Sequence, residues 1–361
     1  MHRFASSSAP IRGHYSQRDS TVRALHIEPL ADWIQGLFQQ AADEAGIEVT
    51  WGGGMDEREL RAAAAGADAI VTAKRRIGAD LIGASPGLRL IQVQGRAPWA
   101  VDRDAASAAG VPVSVLPHRG AIAVAEQTLA LMLGLYRKLV AGHTGTRDAE
   151  YLELGVEPVR TTERRIAFNW LRYPDVWQLH GKTLGLVGLG DIALEVARRA
   201  RAFDMEVVYH KRSPLPREHE EMVGARSVPL RELLAASDVI SLHAPHTDRT
   251  ERMIDAAALA LMKPTAILVN TARGGLVDEY ALADTLRDGW IAGAGLDAFL
   301  YEPLPEGSAL ADAPNVLLSP HVGGGTGGGQ RGMIDDVVGN LVAVREGGEV
   351  RGLVNGTNPQ T

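Results

Sequence analysis

A chain of 361 residues is long for one domain and comfortable for two, and 45% hydrophobic with 22% charged residues is globular usage that can bury a sizeable core. A net charge of -7 without a basic stripe gives no reason to expect nucleic acid as a partner. The absence of cysteine excludes disulfides, thiolate catalysis and zinc-thiolate sites, and no other metal-ligand pattern stands out.

Residues 1–20 are polar and basic, lack a hydrophobic core segment, and read as a disordered tail rather than a secretory signal. From residue 21, short apolar runs at 22–27, 47–51, 69–72, 90–93 and 111–115 alternate with helix-like segments such as 31–45 and 56–65. That rhythm predicts parallel strands with helices on both faces. The longest helical pattern of the first half covers 124–139, with Leu129, Met132, Leu133 and Tyr136 on one stripe. Glycines and prolines then break the pattern over 141–180, which reads as a crossing between domains or an arm on a second subunit. A second series follows at 183–187, 206–209, 239–242, 266–270, 292–296 and 316–318, six strands in the order of a dinucleotide-binding unit. The expected domains are 21–140 with about 332–361, and 181–331, the last helix (332–345) returning to the first. No apolar run approaches the roughly 20 residues of a bilayer span, so no membrane contact and a cytoplasmic location are expected.

The second series opens on Gly188-Leu189-Gly190-Asp191-Ile192-Ala193, between a strand and a helix. Gly188 permits the tight turn, Gly190 lets the backbone approach a pyrophosphate, and Ala193 stands where a third glycine would pack helix on strand. Asp191 and Ile192 begin the helix whose free amides would face the phosphates. At the end of the next strand His210 occupies the position of the usual ribose-binding acid, followed by Lys211, Arg212 and Ser213. Cationic donors there favour a 2′-phosphate, so the expected cofactor is NADP in preference to NAD.

Further on stand Asn270-Thr271-Ala272-Arg273-Gly274-Gly275, Gly295-Leu296-Asp297-Ala298-Phe299, Glu302-Pro303 and Ser319-Pro320-His321-Val322-Gly323-Gly324. With Val124-Ala125-Glu126 and Gly181-Lys182-Thr183-Leu184-Gly185 before them, the chain resembles the D-2-hydroxyacid dehydrogenases, a family that includes phosphoglycerate dehydrogenases and glyoxylate/hydroxypyruvate reductases. The resemblance implies an α/β protein with two doubly wound parallel sheets, a Rossmann domain inserted into a flavodoxin-like substrate domain, and a homodimer. It implies that Arg273 holds the carboxylate of a small 2-oxo or 2-hydroxy acid, which suits its forked donors. It gives His321 the proton exchange, for which an imidazole with an ordinary pKa of about 6.5 is suited, and Glu302 the task of fixing the ring's tautomer. It also places Asp297 at the nicotinamide carboxamide, His243, Ala244 and Pro245 on the adenosine side, Thr271 and Ala272 beneath the nicotinamide, and His321 with Gly323 among the cofactor contacts.

The substrate loop departs from the family's pattern, reading Gly95-Arg96-Ala97-Pro98-Trp99. The amides of Arg96 and Ala97 remain candidates for the carboxylate, and Lys74 for the same space. Arg96 favours a second anionic group on the substrate; Trp99 favours an apolar side chain; both readings stay open. The expected activity is reduction of glyoxylate-like or hydroxypyruvate-like acids. The rivals are a phosphite or formate dehydrogenase of the same fold, and a cofactor-sensing corepressor-like protein.

Overall fold

The computed structural model describes residues 21–95, 98–117, 119–325 and 329–355. They fall into two units, one within Met1–Leu116 and Gln330–Thr361 and the other within Pro117–Gly329. In the first, β1 (Val22–His26), α1 (Asp32–Glu44), β2 (Ile47–Trp51), α2 (Glu57–Ala64) and β3 (Ala69–Thr72) are followed by α3 (Ala79–Gly83), β4 (Leu90–Gln94), α4 (Arg103–Ala108) and β5 (Val113–Leu116). The second contains α5 (Arg119–Tyr136), α6 (Leu139–Arg147), β6 (Thr183–Val187), α7 (Asp191–Ala202), β7 (Glu206–His210), α8 (Arg217–Val223) and β8 (Arg226–Ser227). It continues through α9 (Leu230–Ala236), β9 (Val239–Leu242), α10 (Ala256–Leu259), β10 (Ile267–Asn270), α11 (Glu279–Arg287), β11 (Gly293–Leu296) and β12 (Val316–Leu318). The last helix, α12 (Gly329–Glu346), returns the chain to the first unit.

The first sheet runs β2-β1-β3-β4-β5 with all pairs parallel. Strands covered on both faces read as near-continuous apolar runs, and β3, Ala-Ile-Val-Thr, is buried throughout. Ile70, Ile91 and Val93 pack towards Leu60 and Leu81, whereas Ala24, Val71 and Leu90 pack towards Phe38, Ile334 and Leu341. The strand order reverses between β1 and β3, so loops at the carboxyl ends of these strands flank the switch point where such sheets hold ligands.

The second sheet runs β12-β11-β10-β9-β6-β7-β8, again parallel, with its reversal between β6 and β9. This is the Rossmann order extended by one strand. Apolar runs predict six strands here; the seventh, β8, is only two residues long and carries no periodicity to detect.

Two boundaries differ from expectation. Helix α5 begins at Arg119, earlier than the pattern suggested, and lies in the second unit rather than with 21–116. Leu131 packs so closely on Gly295 of β11 that a Cβ there would sit 2.9 Å from the leucine's Cβ, and Gly134 of α5 faces Leu317 of β12. The apolar stripe of α5 was visible in sequence, but a stripe does not say which sheet it covers. Within 141–180, the first turns are helical as α6, and the rest is largely irregular.

Candidate active site

The glycine turn has the geometry a dinucleotide needs. Gly188 has φ +96°, and a Cβ on it would meet the Ala244 nitrogen and the His243 carbonyl at 2.7 Å, so β6 and β9 approach closely here. A Cβ on Gly190 would meet nothing within 4 Å, which leaves open space where a phosphate would lie. Gly190 caps α7 without a side-chain hydrogen bond, and a helix N-terminus of this kind points amide donors and a positive dipole end at an anion. Ala193 is fully buried at the helix–strand contact. These features fit a pyrophosphate, and Asp191 and Ile192 lie in the first turn of that helix.

At the end of β7, His210 Nδ1 donates to the Val228 carbonyl at 3.2 Å, which orients the ring, while Lys211 is half-buried and Arg212 exposed. His243 Nε2 lies 2.8 Å from Ser241 Oγ, and burial holds this imidazole down to about 3, so it is neutral near neutral pH. Ala244 and Pro245 follow it at the carboxyl end of β9.

The catalytic candidates lie on loops after β10, β11 and β12. Buried Asn270 templates the first: its Oδ1 accepts from the Ala272 amide (3.0 Å) and its Nδ2 donates to the Arg273 carbonyl (2.9 Å). Thr128 of α5 spends its proton on the Val124 carbonyl, so the Thr271 hydroxyl donates to Thr128 across 2.9 Å. Gly274 then lies directly beneath the next loop, where a Cβ would fall 1.9 Å from the Phe299 carbonyl carbon. Only glycine allows that approach, and it brings the loop carrying Glu302 onto the loop carrying Arg273.

Glu302, joined to Pro303 by a cis peptide bond, accepts from the Phe299 amide at 3.0 Å through Oε1. Its Oε2 lies 2.7 Å from His321 Nδ1. The Phe299 amide, then His321, and the nearby Arg273 guanidinium hold the Glu302 carboxyl below its ordinary value. A carboxylate only accepts, so Nδ1 carries the proton and Nε2 is the nitrogen left for exchange. Both side chains are partly exposed (42% for His321, 38% for Glu302), as groups that must reach a substrate require. They form one wall of a cavity of about 490 Å³ whose other walls include Phe299, Leu304, Leu318 and Pro320.

His321 has φ +53°, a left-handed conformation costing a non-glycine residue on the order of 1 kcal/mol. Asp297, almost fully buried, anchors its loop. Oδ1 accepts from Ser319 Oγ (2.5 Å) and the Val322 amide (3.0 Å), and Oδ2 from the Gly323 amide (2.8 Å). The family resemblance makes Asp297 and Gly323 expected cofactor contacts and gives Ser319 no role; a serine before a proline carries no signal of a side-chain partner 22 residues away.

The remaining candidates belong to the first unit. Arg96 and Ala97 lie outside the described residues. Gly95 has φ +123° and donates its amide to the Leu116 carbonyl; Trp99 is half-buried in a single 3₁₀ turn. Lys74 is exposed on the turn after β3. A residue missed in sequence fixes that turn: Glu28 Oε1 accepts from the amides of Ala73 (3.0 Å), Lys74 (2.5 Å) and Arg75, and from Thr72 Oγ1 (3.1 Å). Burial alone would raise the Glu28 carboxyl, but the Arg75, Lys74 and Ala73 amides outweigh it and hold it below its ordinary value.

Two parallel sheets, the second with a phosphate-ready turn and a paired histidine and glutamate, define a two-domain α/β oxidoreductase that uses a nicotinamide dinucleotide. A family model described as D-isomer specific 2-hydroxyacid dehydrogenase, NAD binding domain, matches residues 129–323. The glyoxylate reductase of Thermococcus onnurineus is 38% identical over 289 residues, covering 80% of this chain and 83% of its own. Among solved structures, a glyoxylate reductase from Paecilomyes thermophila is 31% identical with TM-score 0.53, covering 92% of this chain and 98% of that one. An NADPH-dependent glyoxylate/hydroxypyruvate reductase from Sinorhizobium meliloti is 30% identical with TM-score 0.50, covering 92% and 97%. The chain belongs to the D-isomer specific 2-hydroxyacid dehydrogenases.

Proposed function

We propose that this 2-hydroxyacid dehydrogenase acts as a reductase of glyoxylate, hydroxypyruvate or similarly small 2-oxo acids, with NADPH preferred. The observation that carries the reading is the 2.7 Å pair of His321 Nδ1 and Glu302 Oε2, which leaves Nε2 as the only ring nitrogen for proton exchange. When bound, the nicotinamide supplies the hydride. Arg273 holds the carboxylate through its forked donors, and its charge polarises the 2-oxo group. His321 Nε2 gives a proton to the oxygen that becomes the hydroxyl, and Glu302, kept as a carboxylate, balances the charge on the ring.

On the cofactor side, Gly188, Gly190, Asp191 and Ile192 hold the pyrophosphate, and His243, Ala244 and Pro245 the adenosine half. Thr271, Ala272, Asp297, His321 and Gly323 face the nicotinamide end. A carboxylate offers about four acceptor sites, so Asp297 retains capacity for a carboxamide beside its three internal donors. His210, Lys211 and Arg212 carry the preference for a 2′-phosphate, and the NADPH-dependent relative from Sinorhizobium meliloti supports it. Lys74, Gly95, Arg96, Ala97 and Trp99 contribute to substrate recognition. A homodimer is built across the cofactor domains, and the 141–180 segment, with Ile166 and Phe168 each more than half exposed, contributes to it.

Turnover of glyoxylate, hydroxypyruvate, pyruvate and phenylpyruvate with NADPH and with NADH tests the reading. The expected result is higher kcat/KM with NADPH and with the two-carbon and three-carbon acids. Oxidation of formate or phosphite in place of 2-oxo acid reduction would overturn it, as would cofactor binding without any turnover.

A further inference from the structure

We propose that Ser319, backed by Gln127, is a positioning residue that sets where the His321 imidazole stands; this rests on His321 being the acid/base. One hydroxyl joins three elements. Ser319 Oγ, just past β12, donates its only proton to Asp297 Oδ1 beyond β11 at 2.5 Å. Its lone pairs then receive Gln127 Nε2 from α5 at 2.9 Å. The relay is therefore directional: amide to hydroxyl to carboxylate.

The carboxylate at its end also accepts the Val322 and Gly323 amides at 3.0 and 2.8 Å. Asp297 thus grips the chain two residues before His321 and at the two residues after it. Between these grips His321 takes its left-handed backbone, with its amide donated to the Ser319 carbonyl at 3.0 Å. Among the described residues Glu302 holds the ring at its other end, so the direction of Nε2 depends on where the backbone of residue 321 is fixed. Ser319 touches neither reacting atom nor ring; its effect passes through Asp297 and the loop.

The test compares Ser319→Ala, which deletes the donor, with Ser319→Thr, which restores a hydroxyl, and with Gln127→Met, which removes only the amide behind it. A misplacement of about 1 Å in a reacting group lowers turnover by up to about 100-fold. Ser319→Ala is expected to lose kcat on that scale with little change in KM, and Ser319→Thr to recover most of it. Gln127→Met, which removes one neutral hydrogen bond, should lose about 2–10-fold. A loop staple without a positioning role would lower Tm in all three and leave kcat of the folded fraction intact; that result overturns the proposal, as does failure of Ser319→Thr to recover the loss. If Ser319→Ala does not fold, Gln127→Met with native kcat overturns it. If the native enzyme reduces no 2-oxo acid, the functional reading fails. Positioning is then judged from the ¹⁵N imidazole resonances of His321, which must move in Ser319→Ala and which, if unchanged, refute it.

Discussion

On the proposed reading Arg273 and Glu302 act on different parts of the reaction, so their variants should separate in kinetics. Arg273→Lys keeps the charge and loses the fork; a lost charged hydrogen bond of about 1.5–3 kcal/mol corresponds to roughly a 10–150-fold rise in KM for glyoxylate. Glu302→Gln leaves an acceptor oxygen but no charge to balance the ring, so kcat should fall further than KM rises. Steady-state kinetics of the two variants check this, and a matching pattern in both would refute the division of labour. At this scale much was legible before the fold was known. Arginine, Glu-Pro and histidine stand in short motifs whose residue types match the chemistry. Asp297, Ser319 and Gln127 did not read as one device, because hydrogen bonds over 22 and 192 residues leave no local pattern.

Elements place those residues. The β6–α7 turn was readable because a tight turn and an open helix end demand glycines at fixed spacing, and Gly188 and Gly190 meet those demands for different reasons. The turn after β3 was not, since nothing in the sequence links Glu28 to the amides of residues 73–75. Its carboxyl is held below the ordinary 4.5, so the stability it contributes is present above about pH 4.5 and lost as pH falls through the folded-state value. Glu28→Gln should therefore cost about 1–3 kcal/mol at pH 7, by loss of hydrogen bonds to a charged acceptor. The same variant should also show a flatter loss of stability below pH 4.5 than the native protein. Denaturant unfolding at pH 7 and pH 4 measures both, and equal m-corrected losses at the two pH values would sink the argument. Helix α5 shows the other limit, since its apolar stripe predicts burial without naming the sheet.

At the scale of the whole molecule, two parallel sheets follow from runs of buried strands alternating with amphipathic helices, which is why the fold class was plain from periodicity. What periodicity cannot supply is the burial of polar groups. His26, enclosed by Phe38 and Trp51, and His243 are both held below the ordinary 6.5 by burial. Their unfolded states take up protons that the folded protein refuses, so native stability is full above about pH 6.5 and declines as pH falls below it. Thermal unfolding from pH 7.5 down to pH 5 should show Tm decreasing, and less steeply in a His26→Phe variant; parallel curves would refute the contribution of His26. No helix among the described residues is long and apolar enough to cross a membrane.

The account turns on one imidazole exchanging a proton with a 2-oxo acid while the carboxylate of Glu302 steadies it. Oxidation of reduced dinucleotide by glyoxylate, compared between the native enzyme and His321→Asn, tests this most directly. Removal of a general acid costs about 10²–10⁴-fold in turnover, so the variant should still bind dinucleotide yet reduce glyoxylate slower by at least about 100-fold. A His321→Asn enzyme that reduces glyoxylate at the native rate would contradict the account.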